Sequence, residues 1–224
     1  MPLPDGGRLA LHPDVRRCVI TNAQPPSIDA MAHPWLATIG ASIANLRGSE
    51  SFHAGGVVIA GRAWVILGEK HAGKSTTLAI LGELGHVITS DDLVVVHGAT
   101  VQSGPACVDL REEAATALSL GEQVTVMPGR VRWRVTMARP PAEVPLAGFV
   151  RPAWSADERS SVRSVPAADR LQLLFRSRSA LWRDNRGLRM LRLASLPIYE
   201  WRRPRSLAAI ADEAQQLAAR LSDG

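Results

Sequence analysis

The chain has 224 residues, 46% apolar and 21% charged, with a formal net charge of +5. Those figures describe an ordinary soluble globular protein, one domain in size, and exclude any need for disulfide or metal staples. No apolar run reaches the length of a transmembrane helix, the N-terminus lacks a secretory layout, and Cys18 and Cys107 show no metal-binding spacing. The expectation is a cytoplasmic protein with two buried thiols and no membrane partner. Nucleic acid is not an expected partner either, because one Tyr and three Phe offer few stacking surfaces. The positive charge is almost all arginine, Lys70 and Lys74 being the only lysines.

Residues 1–50 read as short strands and turns, punctuated by Pro2, Pro4, Gly6, Gly7, Pro25 and Pro26, with Arg16–Thr21 a strand. Gly55–Ile59 and Ala63–Leu67 are apolar runs around the turn Ala60-Gly61-Arg62, a hairpin pattern. Ser75–Leu84 has the pattern of a helix closed by Gly85. Val87–Thr89 and Leu93–His97 read as strands with Asp91 and Asp92 between them. The latter part of Asp109–Leu120 reads as helix, and Arg130–Thr136 alternates strictly, as a half-buried strand does. Pro140–Pro145 reads as a link, Leu146–Val150 as a strand, and Ala167–Phe175 as a helix started at Pro166. Leu196–Trp201 is the last expected strand, and Ser206 is expected to cap a helix to about Leu221, with Leu207, Ile210, Ala214, Leu217 and Leu221 facing the core.

Between the hairpin and its following helix, Gly68-Glu69-Lys70-His71-Ala72-Gly73-Lys74-Ser75 satisfies G-x-x-x-x-G-K-[ST]. The glycines let successive amides converge on one anion, and the helix start adds its dipole. Lys74 reaches the outer phosphates and Ser75 offers a hydroxyl to Mg²⁺. Thr76 completes the expected phosphate-binding set, so ATP and Mg²⁺ are the expected cofactors. The Asp91-Asp92 pair supplies what a phosphate cradle lacks, a metal-side carboxylate and an acceptor for a hydroxyl proton. Read without the P-loop, Ser-Asp-Asp is ordinary turn chemistry.

The order of His53, strand, P-loop, helix, Gly85 and Asp91-Asp92 resembles the catalytic core of the HPr kinase/phosphorylase family. Val108-Asp109-Leu110-Arg111 and the late Leu196–Trp201 segment extend the resemblance, which is strongest over residues 50–112. It implies an α/β fold of the HPr kinase/phosphoenolpyruvate carboxykinase type, with a mixed β-sheet core and flanking helices. The implied organisation is one catalytic domain over 1–224, with N-terminal strands in 1–50, the P-loop core in 51–112, and the remainder in 113–224. It also implies ATP-dependent phosphorylation of a serine hydroxyl. Carried over, Asp91 is the general base, Lys74 the phosphate lysine and His53 a group near the γ-phosphate. Ser75, Asp92 and Asp109 stand on the metal side, and Arg111 lies beyond the metal. Glu112–Leu120 departs from the family's Gly- and Ile-rich signature, so neither reverse phosphorylase activity nor HPr as substrate is expected. In size the chain is similar to short stand-alone relatives that phosphorylate lasso-peptide precursors, which makes a peptide or small protein the expected partner. The family also suggests a homo-oligomer.

Arg130, Arg132 and Arg134 share one strand face, suited to phosphate or acidic substrate, or else simply solvated. Arg176, Arg178, Arg183, Arg186, Arg189 and Arg192 lie in a poorly patterned stretch, read as a solvated surface with a substrate-binding loop as the alternative. Trp64, Trp133 and Trp182 read as core or interface rather than nucleotide-stacking residues. A small-alcohol kinase, an ATP hydrolase and a nucleotide-gated binding module are the rival readings.

Overall fold

The computed structural model describes residues 7–12, 17–21, 25–157, 159–179 and 187–223. In chain order come β1 (Arg8–Leu11), β2 (Cys18–Thr21), α1 (Ile28–Ala30), a π-helical turn (Met31–Trp35) and α2 (Leu36–Leu46). Next are β3 (Glu50–Phe52), β4 (Gly55–Ile59), β5 (Arg62–Ile66), α3 (Lys74–Glu83), β6 (Val87–Ser90), β7 (Val94–His97), β8 (Thr100–Gln102) and β9 (Cys107–Leu110). The rest comprises α4 (Glu112–Leu118), β10 (Glu122–Met127), β11 (Arg130–Thr136), β12 (Glu143–Ser155), β13 (Ser161–Ser164), α5 (Ala167–Arg176), α6 (Gly187–Ala194), β14 (Ile198–Pro204) and α7 (Ile210–Ser222).

The run Ala63-Trp-Val-Ile-Leu67 organises the molecule. Successive strand side chains point to opposite faces, and here both faces are covered. Trp64 and Ile66 join Leu78 and Leu81 of α3 and Leu217 of α7 in one core. Ala63, Val65 and Leu67 join Leu174 of α5 and Met190 and Leu193 of α6 in the other. A strand buried on both faces is apolar at every position, which is what the sequence shows. β5 pairs antiparallel with β4 through the turn Ala60-Gly61, where φ is 49° and 74°, and parallel with β12. β12 also runs parallel to β14. The sheet order is β3-β7-β8-β12-β5-β4-β6, with β14 on β12 and β13 on β14. The fold is mixed α/β, a large mixed sheet with flanking helices, as expected. A smaller sheet, β10-β11-β9, packs through β9 against α3.

Several expectations change. Residues 28–46 form two helical segments joined by a kink at His33, where short strands were expected. Ala30, Trp35 and Ile39 bury against Leu9 of β1, so tertiary packing overrides the Pro-punctuated local reading. Arg16 lies outside the described residues, as do Trp182, Arg183 and Arg186. The link over 140–145 gives way to strand at Glu143, because β12 extends in both directions to pair with β8 and β14. Ser206 accepts the amide of Ala209 in a turn, and the last helix begins only at Ile210. Leu207 is therefore not part of its core stripe. Arg178 is buried and pairs with Glu50 at 3.2 Å, rather than lying on a solvated surface. Cys18 is exposed, Cys107 half-buried, and both are free. Trp64 is buried in the core, with Trp133 packed at its edge. No helix among the described residues is long and apolar enough to cross a membrane.

Candidate active site

The P-loop leaves the sheet where β5 ends beside the parallel strand β12, the edge at which α/β sheets bind ligands. Gly68 (φ 131°) and Gly73 (φ 79°) take conformations that favour glycine. A Cβ on Gly73 would lie 2.4 Å from Nη2 of Arg203, so a larger residue would also displace that guanidinium. With Gly73 as N-cap, α3 starts at Lys74 and sets its positive dipole end at the loop. The Lys74 ammonium donates to the carbonyls of Gly68 (2.8 Å) and Glu69 (3.1 Å) and so spans the loop. Burial lowers its pKa, while Asp91 and Asp92 pull it upward.

The acidic pair follows β6 directly. Oδ1 of Asp91 accepts the Ser75 hydroxyl at 3.0 Å and the Asp92 amide at 3.0 Å. Its Oδ2 accepts the Asp109 amide at 3.2 Å. Burial, aided by the charge of Asp92, raises the Asp91 pKa to about 6 against these hydrogen bonds. Asp92 sits in the left-handed region, φ 70°, a strained conformation of the kind that collects at functional sites. Its carboxylate stands between two imidazoles, with Nδ1 of His53 at 3.1 Å and Nδ1 of His33 at 3.4 Å. Nε2 of His33 is 3.1 Å from Nη2 of Arg130. A guanidinium only donates, so Nε2 accepts and the ring proton resides on Nδ1, facing Asp92. Burial holds His33 below its usual pKa despite Asp92. For Asp92 burial works upward, but the His53 hydrogen bond and the charges of His33, His53 and Lys74 prevail and lower it.

These groups line one cavity of about 440 Å³. Of the expected site residues it brings together His53, Lys70 to Thr76, Asp91, Asp92, Asp109, Arg111, Arg130 and Arg132. Gly68 and Glu69 contribute through their carbonyls to Lys74 rather than as walls. Arg130 and Arg132 crowd together near Arg111, and burial together with these like charges lowers the Arg132 pKa.

Two of the expected residues are engaged with each other. Arg134 is held away as a clamp: its guanidinium grips both oxygens of Asp109 at 2.8 Å each and also pairs with Asp29. The three alternating arginines therefore do not form one ligand-facing array. Asp109, expected on the metal side, has both carboxylate oxygens engaged by Arg134 and serves to hold β11 on β9.

His33, Trp154 and Arg203 line the cavity without having been singled out in the sequence. Arg203 lies between two indoles, 4.4 Å from the Trp154 ring centre and 4.6 Å from that of Trp201. Trp154 remains 41% exposed beside Gly73. Neither Trp154 nor His33 carried a sequence signal, since both are far from the motif in sequence.

The buried charge of Asp91 predicts a trade of stability for function. Its folded pKa lies above the unfolded value, so its contribution is favourable below pH 4 and is lost as pH rises through about 6. A shift from 3.8 to about 6 corresponds to about 3 kcal/mol. Asp91→Asn should therefore raise the Tm of the ligand-free protein at pH 7.5, and that gain should shrink toward pH 4.5. Thermal unfolding at the two pH values checks this.

No family model and no curated protein matches the chain. It is similar to a solved structure, the HPr(Ser) kinase/phosphatase from Coxiella burnetii. The identity is 12%, the likeness covers 78% of this chain and 99% of that one, and the TM-score is 0.36. At that distance the likeness bears on neither substrate nor activity, and the chemistry of the cleft rests on its own residues.

Proposed function

We propose that the chain is an ATP- and Mg²⁺-dependent phosphotransferase acting on a serine hydroxyl of a peptide or small protein. One observation carries this reading: the P-loop Ser75 and Lys74 share a single cleft with the Asp91-Asp92 pair. The oxygens of Ser75 and Asp91, 3.0 Å apart beside the loop, suit Mg²⁺, which takes few protein ligands and fills its shell with phosphate oxygens and water. Among the described residues no group of three or more His, Cys, Asp or Glu builds a full metal cage. When bound there, Mg²⁺ would neutralise developing charge on the transferring phosphoryl group.

In this reading the two aspartates exchange the tasks that the family resemblance implied. Asp91 already accepts from Ser75 and two backbone amides, an arrangement that suits the metal side. Asp92, flanked by His53 and His33, is the carboxylate we assign to the proton. It removes the proton as the hydroxyl oxygen bonds to the γ-phosphorus and the bond from that phosphorus to the bridging oxygen breaks, releasing ADP. Lys74, Arg111, Arg130 and Arg132 stabilise the triphosphate. The exposed Trp154 ring offers the purine a stacking face. Loss of such stacking costs about 1–3 kcal/mol, so Trp154→Ala should weaken ATP roughly 10-fold while leaving competition by inorganic tripolyphosphate unchanged. Fluorescence titration with both ligands reads this.

The acceptor class includes the ribosomally made precursors, lasso peptides among them, that the resemblance implies, and the ATP requirement suits the cytoplasm. Incubation with γ-labelled ATP and serine peptides tests the reading. Labelled phosphopeptide is expected; release of free phosphate alone identifies a hydrolase, and tight binding without turnover identifies a nucleotide-gated module.

A further inference from the structure

A second cavity, of about 510 Å³, adjoins the first. The two share only His33, Asp91 and Asp92, and the second contains no P-loop residue. One wall is a face of α2: Leu36, Ala37, Gly40, Ile43 and Ala44 recur at helical spacing. The other is the matching face of β7 and its approach, Leu93, Val95 and His97, at strand spacing. α2 is fixed in place by Asn45, whose side-chain amide donates to Ser51 of β3 at 3.1 Å. Gly40 leaves room for Leu93, since a Cβ there would lie 2.9 Å from its Cδ2.

We infer that this groove seats the acceptor, as an extended peptide segment with apolar side chains next to the phosphorylated serine. The inference rests on the kinase reading above. Phosphoryl transfer needs attacking and leaving oxygens roughly in line through phosphorus. With the nucleotide on the P-loop, the acceptor must reach Asp92 from the other side, and the groove opens there. Its two facing walls are largely apolar, and its charged groups are Arg47, Glu143 and, at the end shared with the first cavity, Asp91 and Asp92. The eleven residues of α2 span about 16 Å, the reach of about five residues of extended chain. That length fits a peptide segment better than a small alcohol.

Two variants that alter the groove but not the nucleotide cleft test it. Ala37→Trp fills the groove, and Leu36→Glu charges a residue that is 39% exposed at its wall. Probes are seven-residue peptides with a central serine flanked by Leu/Ala or by Glu/Lys, with free serine and glycerol as small-alcohol arms. Apolar flanks should be preferred by at least about 10-fold in kcat/KM, and each variant should remove that preference through KM. ATP affinity and Tm should be unchanged, which guards against misfolding. Equal use of all flanks, unchanged kinetics in both correctly folded variants, or equal use of glycerol overturns the groove while leaving the kinase reading intact. Phosphorylation of no acceptor at all overturns both.

Discussion

Asp92→Asn is expected to cut phosphoryl transfer by about 10²-fold or more, the usual scale for a general base, while nucleotide affinity changes little. The amide keeps the size of the carboxylate but cannot take a proton. The site around it is specific to a charged oxygen pair: Nδ1 of His53 lies against one oxygen and Nδ1 of His33 against the other. Arg130 fixes the His33 tautomer by occupying Nε2. The lowered pKa keeps Asp92 ionised at neutral pH but weakens it as a base, so its assignment rests on its position between the imidazoles and beside both cavities. Asp91→Asn should behave differently. Its carboxylate holds the Ser75 hydroxyl, so the expected loss is in Mg²⁺ response, seen as a higher metal concentration at half-maximal rate. Single-turnover rates and metal titrations on both variants separate the roles. A normal rate in Asp92→Asn, with transfer abolished but Mg²⁺ binding intact in Asp91→Asn, would return the base to Asp91.

The phosphate loop was legible because its requirements are local. Glycines at positive φ, a preceding buried strand and a following helix all lie within a short stretch, and each leaves a mark on residue type. The apolar run Ala63–Leu67 likewise announced a strand covered on both faces. What could not be read is non-local. His33 reaches Asp92 only because α1 and α2 fold back over the pair, and the helical propensity of residues 36–46 was masked by the Pro- and Gly-rich segments around them. Arg134 looked equivalent to Arg130 and Arg132 by strand alternation; only the register of β11 on β9, Arg134 opposite Asp109, shows that it is a clamp. The same pairing engages both carboxylate oxygens of Asp109. The surroundings that distinguish Asp91 from Asp92 were also beyond sequence: Asp91 sits against Ser75, Asp92 between two imidazoles.

Lys74→Ala should weaken ATP binding by on the order of 10²-fold or more, the scale for truncating one partner of a desolvated charge pair. The chain offers no substitute: its other lysine, Lys70, is exposed, whereas Lys74 is 8% exposed and spans the loop from Gly68 to Glu69. Arg111, Arg130 and Arg132 line the cleft on β11 and at the start of α4, not within the loop, so they retain only part of the affinity. Lys74→Arg should fail as well, because a planar fork does not replace a compact ammonium beneath a tight loop. Removing a buried charge leaves the fold intact, so the variant should unfold cooperatively and lose only the rise in Tm that ATP gives the parent protein. Calorimetric titration with ATP and ADP measures the loss. Parent-like affinity in Lys74→Ala would show that the loop does not cradle phosphate, and the assignment of Ser75 and Asp91 to the metal would fall with it.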